Sequence, residues 1–312
     1  MMIPILRALR SALPDSYICV AATRINSEAI ASCPYLNKIE ILDLDNPVNF
    51  LRDIFRLRKE GFDLSIDFEQ RIKISALISY FTGSRQRIGF RTKGYYRHYL
   101  YTIKVHHRRD WHEFWCMAEL LKGIAPKITD SHPEFWISDE DKKWADEFVY
   151  KHSLSGKRII VLHPGCGIRY LKGARAREWP KENFAVLGDI LTRTYNAQII
   201  ITGGRDEIGL AQEIYGLMKI KPLILSSRLN IGRLAAILVR SALFISGDTG
   251  IMHLASALGV NTLSIFGPSD EKRWVPLGSK SKIVLNEQCR CRPCQLFGID
   301  KPKCNKYKCI RP

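Results

Sequence analysis

ALFISGDTGIMHLASALGVNTLSIFG, residues 242–267, decides how the chain is read. Ala242 to Gly247 is an apolar run ending on glycine, Asp248-Thr249-Gly250 opens a helical pattern from Thr249 to Leu258, and Asn261 to Gly267 is apolar again. Strand, turn, helix and strand in that order imply parallel strands with a helix laid across one face. The turn is the chemical part. A helix start offers unpaired amides and a partial positive charge, which suit a phosphate. Gly250 lets a ligand approach the backbone, the Thr249 hydroxyl can add a hydrogen bond, and His253 lies four residues on, along the same helical face. The same residues also read as an ordinary N-cap, by Asp248 or Thr249, followed by a half-buried histidine. The strand–turn–helix setting favours the phosphate.

Upstream, the rhythm repeats. RIIVLHPG (Arg158 to Gly165) is a buried strand running into a glycine turn, and Trp179 to Tyr195 has helical spacing, with Phe184, Leu187 and Leu191 on one side. AQIIITGG (Ala197 to Gly204), a helix from Glu207 to Met218, LILSS (Leu223 to Ser227) and a helix from Ile231 to Arg240 follow. Apolar strands alternating with amphipathic helices predict a parallel sheet covered on both faces, a Rossmann-like domain over residues 157–286.

Two further turns sit at strand ends. HPGCG (His163 to Gly167, with Gly165 at its centre) leads into the basic stretch RYLKGARAREWP, whose Lys172, Arg175 and Arg177 can neutralise a diphosphate without metal. It reads equally as a glycine turn followed by a solvated basic loop. GGRDE (Gly203 to Glu207) places Gly204 and a carboxylate just past a strand, where Glu207 can accept from a ribose diol or simply favour the first helical turn. No Gly-x-Gly-x-x-Gly follows a strand, which disfavours a nicotinamide enzyme, and no Walker loop, nucleophile elbow or His-Glu-x-x-His is present.

The first half is less regular. Strands are expected at Tyr17 to Ala21, Ile39 to Leu42 and Leu64 to Phe68, with helices at Pro4 to Ala12, Asn49 to Lys59 and Ile72 to Phe81. Ser138 caps an acidic first helical turn. The expected division is therefore a Rossmann-like domain over 1–138, a linker helix and turn over 139–156, the second domain, and a tail over 287–312. Two such domains facing each other leave a cleft at the strand ends. The chain opens on a helix where a parallel sheet usually opens on a strand. Either the first strand is dispensable or the true start lies upstream.

The 312 residues carry 48 Lys+Arg against 31 Asp+Glu, a formal charge of +17. With 46% apolar and 25% charged residues, wholesale disorder and collagen-like structure are excluded. No uncharged apolar run is long enough to span a membrane, and Arg7 and Arg10 interrupt the amino end, unlike a secretory signal. A cytoplasmic protein is expected. Its charge fits nucleic acid, an anionic membrane face or phosphorylated small molecules, or only a basic surface. Aromatic–basic interleaving of the RNA-binding kind is missing, so no nucleic acid is expected.

Cys289, Cys291, Cys294, Cys304 and Cys309 crowd the tail. Their spacing matches no standard zinc pattern, and both a bound metal and a set of reduced thiols stay open. Asp43-Leu44-Asp45 could hold a divalent metal on a nucleotide-sugar, but two aspartates in a loop after a strand read as a solvated turn. His106, His107 and His112 suggest metal, but lying among Arg108, Arg109 and Asp110 they read as polar surface.

HPGCG, REWPKENFAVLGDIL, IITGGRDE and LAAILVRSALFISGDTGIMHLASALGVNTLSIFGPSD resemble, in order and spacing, the carboxyl half of the family 9 glycosyltransferases, the bacterial heptosyltransferases of lipopolysaccharide core assembly. DLSIDFEQRIKISALISYFTGSRQRIGF (Asp63 to Phe90) resembles their amino-half signature. The resemblance implies an α/β GT-B fold of two Rossmann-like domains facing a cleft. It also implies inverting, metal-independent transfer of a heptose or hexose from a nucleoside-diphosphate sugar, with no cofactor, to a lipid-anchored saccharide at the inner membrane. Carried over by position, Asp248, Thr249, Gly250 and His253 engage the donor's diphosphate and sugar, and Glu207 holds the ribose. Arg177, where the family usually has Lys, offsets charge on the leaving diphosphate. The family's proposed base, an aspartate in a Gly-Asp pair ahead of the first helix, is not in this sequence. Asp67 and Glu69 are the substitutes at another strand end, and loss of transferase activity is the alternative.

Overall fold

The computed structural model describes residues 1–125, 128–167, 174–295 and 307–311. The chain divides into two compact units, Met1–Ser131 and His132–Pro312.

The first unit runs α1 (Ile3–Ala12), β1 (Cys19–Thr23), α2 (Arg24–Ser27), β2 (Lys38–Leu42), α3 (Pro47–Lys59), β3 (Leu64–Asp67), α4 (Lys73–Phe81), β4 (Gln86–Arg91), β5 (Ile103–His106) and α5 (Glu113–Glu119). Its strands are all parallel and form two separate sheets, β1-β2 and β3-β4-β5. Helix α1 buries Ile3, Ile5, Leu6 and Leu9 along one stripe, as its periodicity requires. Asn46 caps α3 through its side-chain oxygen, which accepts from the amides of Val48 and Asn49. Strand β1 begins two residues later than the sequence suggests. Strands β4 and β5 and helix α5 have no counterpart in the sequence reading.

The second unit runs α6 (Asp139–Lys151), β6 (Arg158–His163), α7 (Lys181–Tyr195), β7 (Ala197–Ile201), α8 (Ile208–Leu217), β8 (Leu223–Ile224), α9 (Ile231–Val239), β9 (Leu243–Gly247), α10 (Gly250–Ala257), β10 (Thr262–Phe266), α11 (Glu271–Trp274) and β11 (Ser281–Leu285). One parallel sheet of 6 strands has the order β11-β10-β9-β6-β7-β8. Alternation along the strands fills both faces. Ile159, Val161, Ile200 and Phe244 pack into one core with residues of α6, α9 and α10. Ile160, Leu162, Ile199, Ile201 and Ile245 pack into the other with α7 and α8. Strands buried on both sides are continuously apolar, which is why this half reads so clearly.

Ser138 caps α6 by accepting from the amide of Asp141 at 3.1 Å. That helix is not a free linker, because Ala145, Trp144 and Phe148 join the core of the second unit. The dividing point accordingly falls at Ser131/His132 rather than after Ser138. Helix α7 starts at Lys181 instead of Trp179, with Pro180 as its N-cap residue. No helix among the described residues is long and apolar enough to cross a membrane.

Candidate functional site

Within the second unit the strand order reverses between β6 and β9, which are hydrogen-bonded neighbours. In open α/β sheets, the loops leaving the carboxyl ends of two such strands are where ligands bind. Here those loops are His163 to Gly167 after β6 and Asp248-Thr249 after β9, the turns singled out in the sequence.

The loops are fastened together by one side chain. Arg177 Nη1 donates to the Asp248 main-chain oxygen at 2.8 Å and lies 3.4 Å from its carboxylate Oδ2, while Nη2 donates to the Cys166 main-chain oxygen at 3.1 Å. The Arg177 Nε is buried and has no hydrogen-bond partner among the described residues. The loops meet at Gly247, where an added Cβ would sit 2.9 Å from Cys166 Sγ and 3.2 Å from the Arg177 main-chain oxygen. Burial pushes the Cys166 thiol well above its ordinary range, so it stays protonated.

Thr249 is the N-cap of α10, its Oγ1 accepting from the amide of Ile251 at 3.2 Å. That leaves the hydroxyl hydrogen to donate. Gly250, the first residue of α10, is exposed and has no heavy atom within 4 Å of where a Cβ would stand. His253 is half-buried one turn further along α10.

Glu207 differs from the sequence expectation. It is only 3% exposed, and its Oε2 accepts from the Gly204 amide at 2.7 Å while Oε1 accepts from the Gly167 amide at 3.0 Å. The carboxylate is a strut between the loops after β6 and β7 rather than an open acceptor. A Cβ on Gly165 would lie 1.9 Å from its Oε1, so only glycine fits there. His163 Nε2 stands 3.8 Å from Glu207 Oε2, and its Nδ1 is 3.1 Å from Thr202 Oγ1. Burial lowers the His163 pKa, with Glu207 opposing, so the imidazole is neutral at neutral pH. Sequence reasoning passed over Ser226, whose buried Oγ has no partner among the described residues. Only its place just beyond β8 could have flagged it. Lys172 and the Arg175 side chain lie outside the described residues, as does Cys304.

In the first unit both substitute bases accept hydrogen bonds. Asp67 Oδ2 accepts from the Tyr101 hydroxyl at 2.6 Å and is ion-paired with the buried Arg97, while Oδ1 accepts from the Glu69 amide at 2.9 Å. Glu69 Oε1 accepts from the amides of Gln70 and Arg71, both at 2.9 Å. His107 is not polar surface, being 3% exposed beside Glu113. Strand β5 ends on the exposed His106, and alternation turns the next residue inward.

Comparison with known proteins gives a consistent result. Residues 51–301 match glycosyltransferase family 9 (heptosyltransferase). Lipooligosaccharide heptosyltransferase 2 of Campylobacter jejuni is 29% identical over 143 residues, covering 45% of this chain and 43% of its own length. The chain thus spans less than half of that relative. Lipooligosaccharide heptosyltransferase 2 of Haemophilus influenzae is 23% identical over 290 residues, 88% of this chain and 82% of that protein. The solved structure of Escherichia coli ADP-heptose lps heptosyltransferase II superimposes with a TM-score of 0.73 at 20% identity, covering 91% of this chain and 86% of the other. That likeness establishes the fold.

Proposed function

The chain belongs to glycosyltransferase family 9, and from that premise we propose that it moves a heptose from ADP-heptose to a saccharide of the lipopolysaccharide-core type. One observation carries the reading. At the switch point, the half-buried guanidinium of Arg177, its Nε unengaged among the described residues, lies between two loops, one of which opens α10 at an unobstructed glycine. Cationic donors and helix-start amides converging on one crevice suit a diphosphate.

The proposed reaction is an in-line displacement. An acceptor hydroxyl attacks the anomeric carbon from the face opposite the diphosphate. The new C–O bond forms as the bond to the phosphate oxygen breaks, so the configuration inverts. Negative charge grows on the departing ADP, where Arg177, the Gly250 amide and the Thr249 hydroxyl stabilise it. Asp248 and Cys166 position Arg177 through their main-chain oxygens. These groups offset the diphosphate charge without a metal ion.

The attacking hydroxyl must also lose a proton to a base. Both oxygens of Asp67 and one of Glu69 already accept hydrogen bonds. That favours a second reading, in which this chain binds the nucleotide-sugar without turning it over.

An anionic membrane surface is the proposed location of the acceptor. Helix α3 exposes Val48, Leu51 and Phe55 at i, i+3 and i+7 beside Arg52 and Lys59, an arrangement that seats in a charged lipid interface.

Thermal shift with ADP and turnover of ADP-heptose test both readings. ADP at 100 times its Kd is expected to stabilise the chain by about 2.7 kcal/mol. Absence of a shift removes the site, while a shift without sugar release selects the second reading.

A further inference from the structure

We propose that His107, Glu113 and Cys116 form a binding site for a zinc-type divalent cation in the first unit, apart from the diphosphate crevice. All three residues are buried, at 3%, 0% and 2% exposure, and their nitrogen, oxygen and sulfur donor atoms lie within 4.8 Å of one another. Glu113 and Cys116 stand three apart on α5 and so share a face, while His107 follows the end of β5. A helix face and a strand end therefore supply the donors, and both are fixed by packing.

The distances fit a small cation. Zinc bonds of about 2.0–2.3 Å place tetrahedral ligands roughly 3.3–3.8 Å apart. His107 Nε2 and Glu113 Oε1 are already 3.5 Å apart. Drawing in Cys116 by about 1 Å completes the set. Charge fits as well. A dication with one carboxylate, one thiolate and a neutral imidazole sums to zero, the combination least costly to bury.

Surrounding groups prepare the donors. The Phe90 ring meets His107 edge-on at 4.9 Å, holding the imidazole plane. The Cys116 thiol donates to the Arg108 main-chain oxygen at 3.1 Å. On binding, that S–H proton leaves to solvent, the thiolate takes the cation, and the Arg108 oxygen gives up its sulfur donor. Cys116 also lines a cavity of about 150 Å³ with Val105, His106, Arg108, Trp111 and Glu119. Of the three donors, Cys116 is thus the one that borders this space.

The test uses the full chain, stripped by chelator and then dialysed against zinc or cobalt(II). Elemental analysis is expected to find one equivalent more in the parent than in Cys116→Ser or His107→Gln. Cobalt is expected to give a thiolate charge-transfer band that both variants lose. Cys289→Ser/Cys291→Ser, which alters only the tail, is expected to keep the band. Equal stoichiometry and equal spectra in the parent and in both site variants overturn the site, as does a parent chain that binds no metal. Should both site variants misfold, alkylation of Cys116 in the unaltered chain decides, followed on its own peptide against Cys33. Zinc slowing it tenfold or more supports the site, and a smaller effect or none overturns it.

Discussion

Arg177 and Asp248 stand 71 residues apart in sequence, yet the guanidinium of the first donates to the main-chain oxygen of the second at 2.8 Å. The contact joins the loop that starts α10 to the basic segment ahead of α7. Its other arm reaches Cys166, so one residue ties together the loops that follow β6 and β9.

Replacing Arg177 with Ala removes a charged donor and the brace together. A charged hydrogen bond contributes about 1.5–3 kcal/mol, so ADP affinity is expected to fall roughly 10- to 150-fold by calorimetry. Arg177→Lys keeps the charge without the planar fork and should fall in between.

Gly165→Ala forces a methyl group against the Glu207 carboxylate, which two amides hold in place. Overpacking of this kind costs about 1–3 kcal/mol in denaturant unfolding. Glu207→Ala relieves the clash while orphaning those amides. The double variant should therefore be less destabilised than the sum of the two single changes.

His163 is held below its ordinary pKa by burial, with Glu207 opposing. A depressed folded-state value means that the unfolded chain takes up the proton first. The stability contributed by the neutral ring is thus complete above the unfolded value of 6.5 and is lost as pH falls below it towards the folded value. Melting temperatures recorded between pH 8 and pH 5 should drop more steeply for the parent than for His163→Asn.

For the membrane, Arg52→Gln/Lys59→Gln removes two charges from the exposed side of α3. At about 1 kcal/mol per basic residue near an anionic surface, partitioning onto phosphatidylserine vesicles should weaken roughly 30-fold. Neutral vesicles should bind both forms equally.

The second unit was legible through β6, β7, β9 and β10, whose apolar runs are largely buried, whereas β11, half-exposed along its length, has no counterpart in the sequence reading. Strands β4 and β5 were not legible, since Arg87, Arg91, Lys104 and His106 interrupt their short patterns. Helix α5, at 7 residues, is too short for a period to emerge. Helix α6 was found with its Ser138 cap, but the packing of Trp144 and Phe148 that assigns it to the second unit is tertiary information. The sequence reading placed Asp248 to Gly250 between β9 and α10, where the structure has them. Nothing in the spacing of Glu207 could reveal that both its oxygens face backbone amides. His107 was misread because its charged neighbours in sequence are not its neighbours in space.

The two units hold very different amounts of hydrogen-bonded sheet. The second is knit by one continuous array of 6 strands, whereas the first distributes its strands over patches of two and three. Small patches of that size gain little from cooperative pairing. Heating should accordingly melt the protein in two calorimetric steps, the amino-terminal half giving way first, with ADP delaying only the later one.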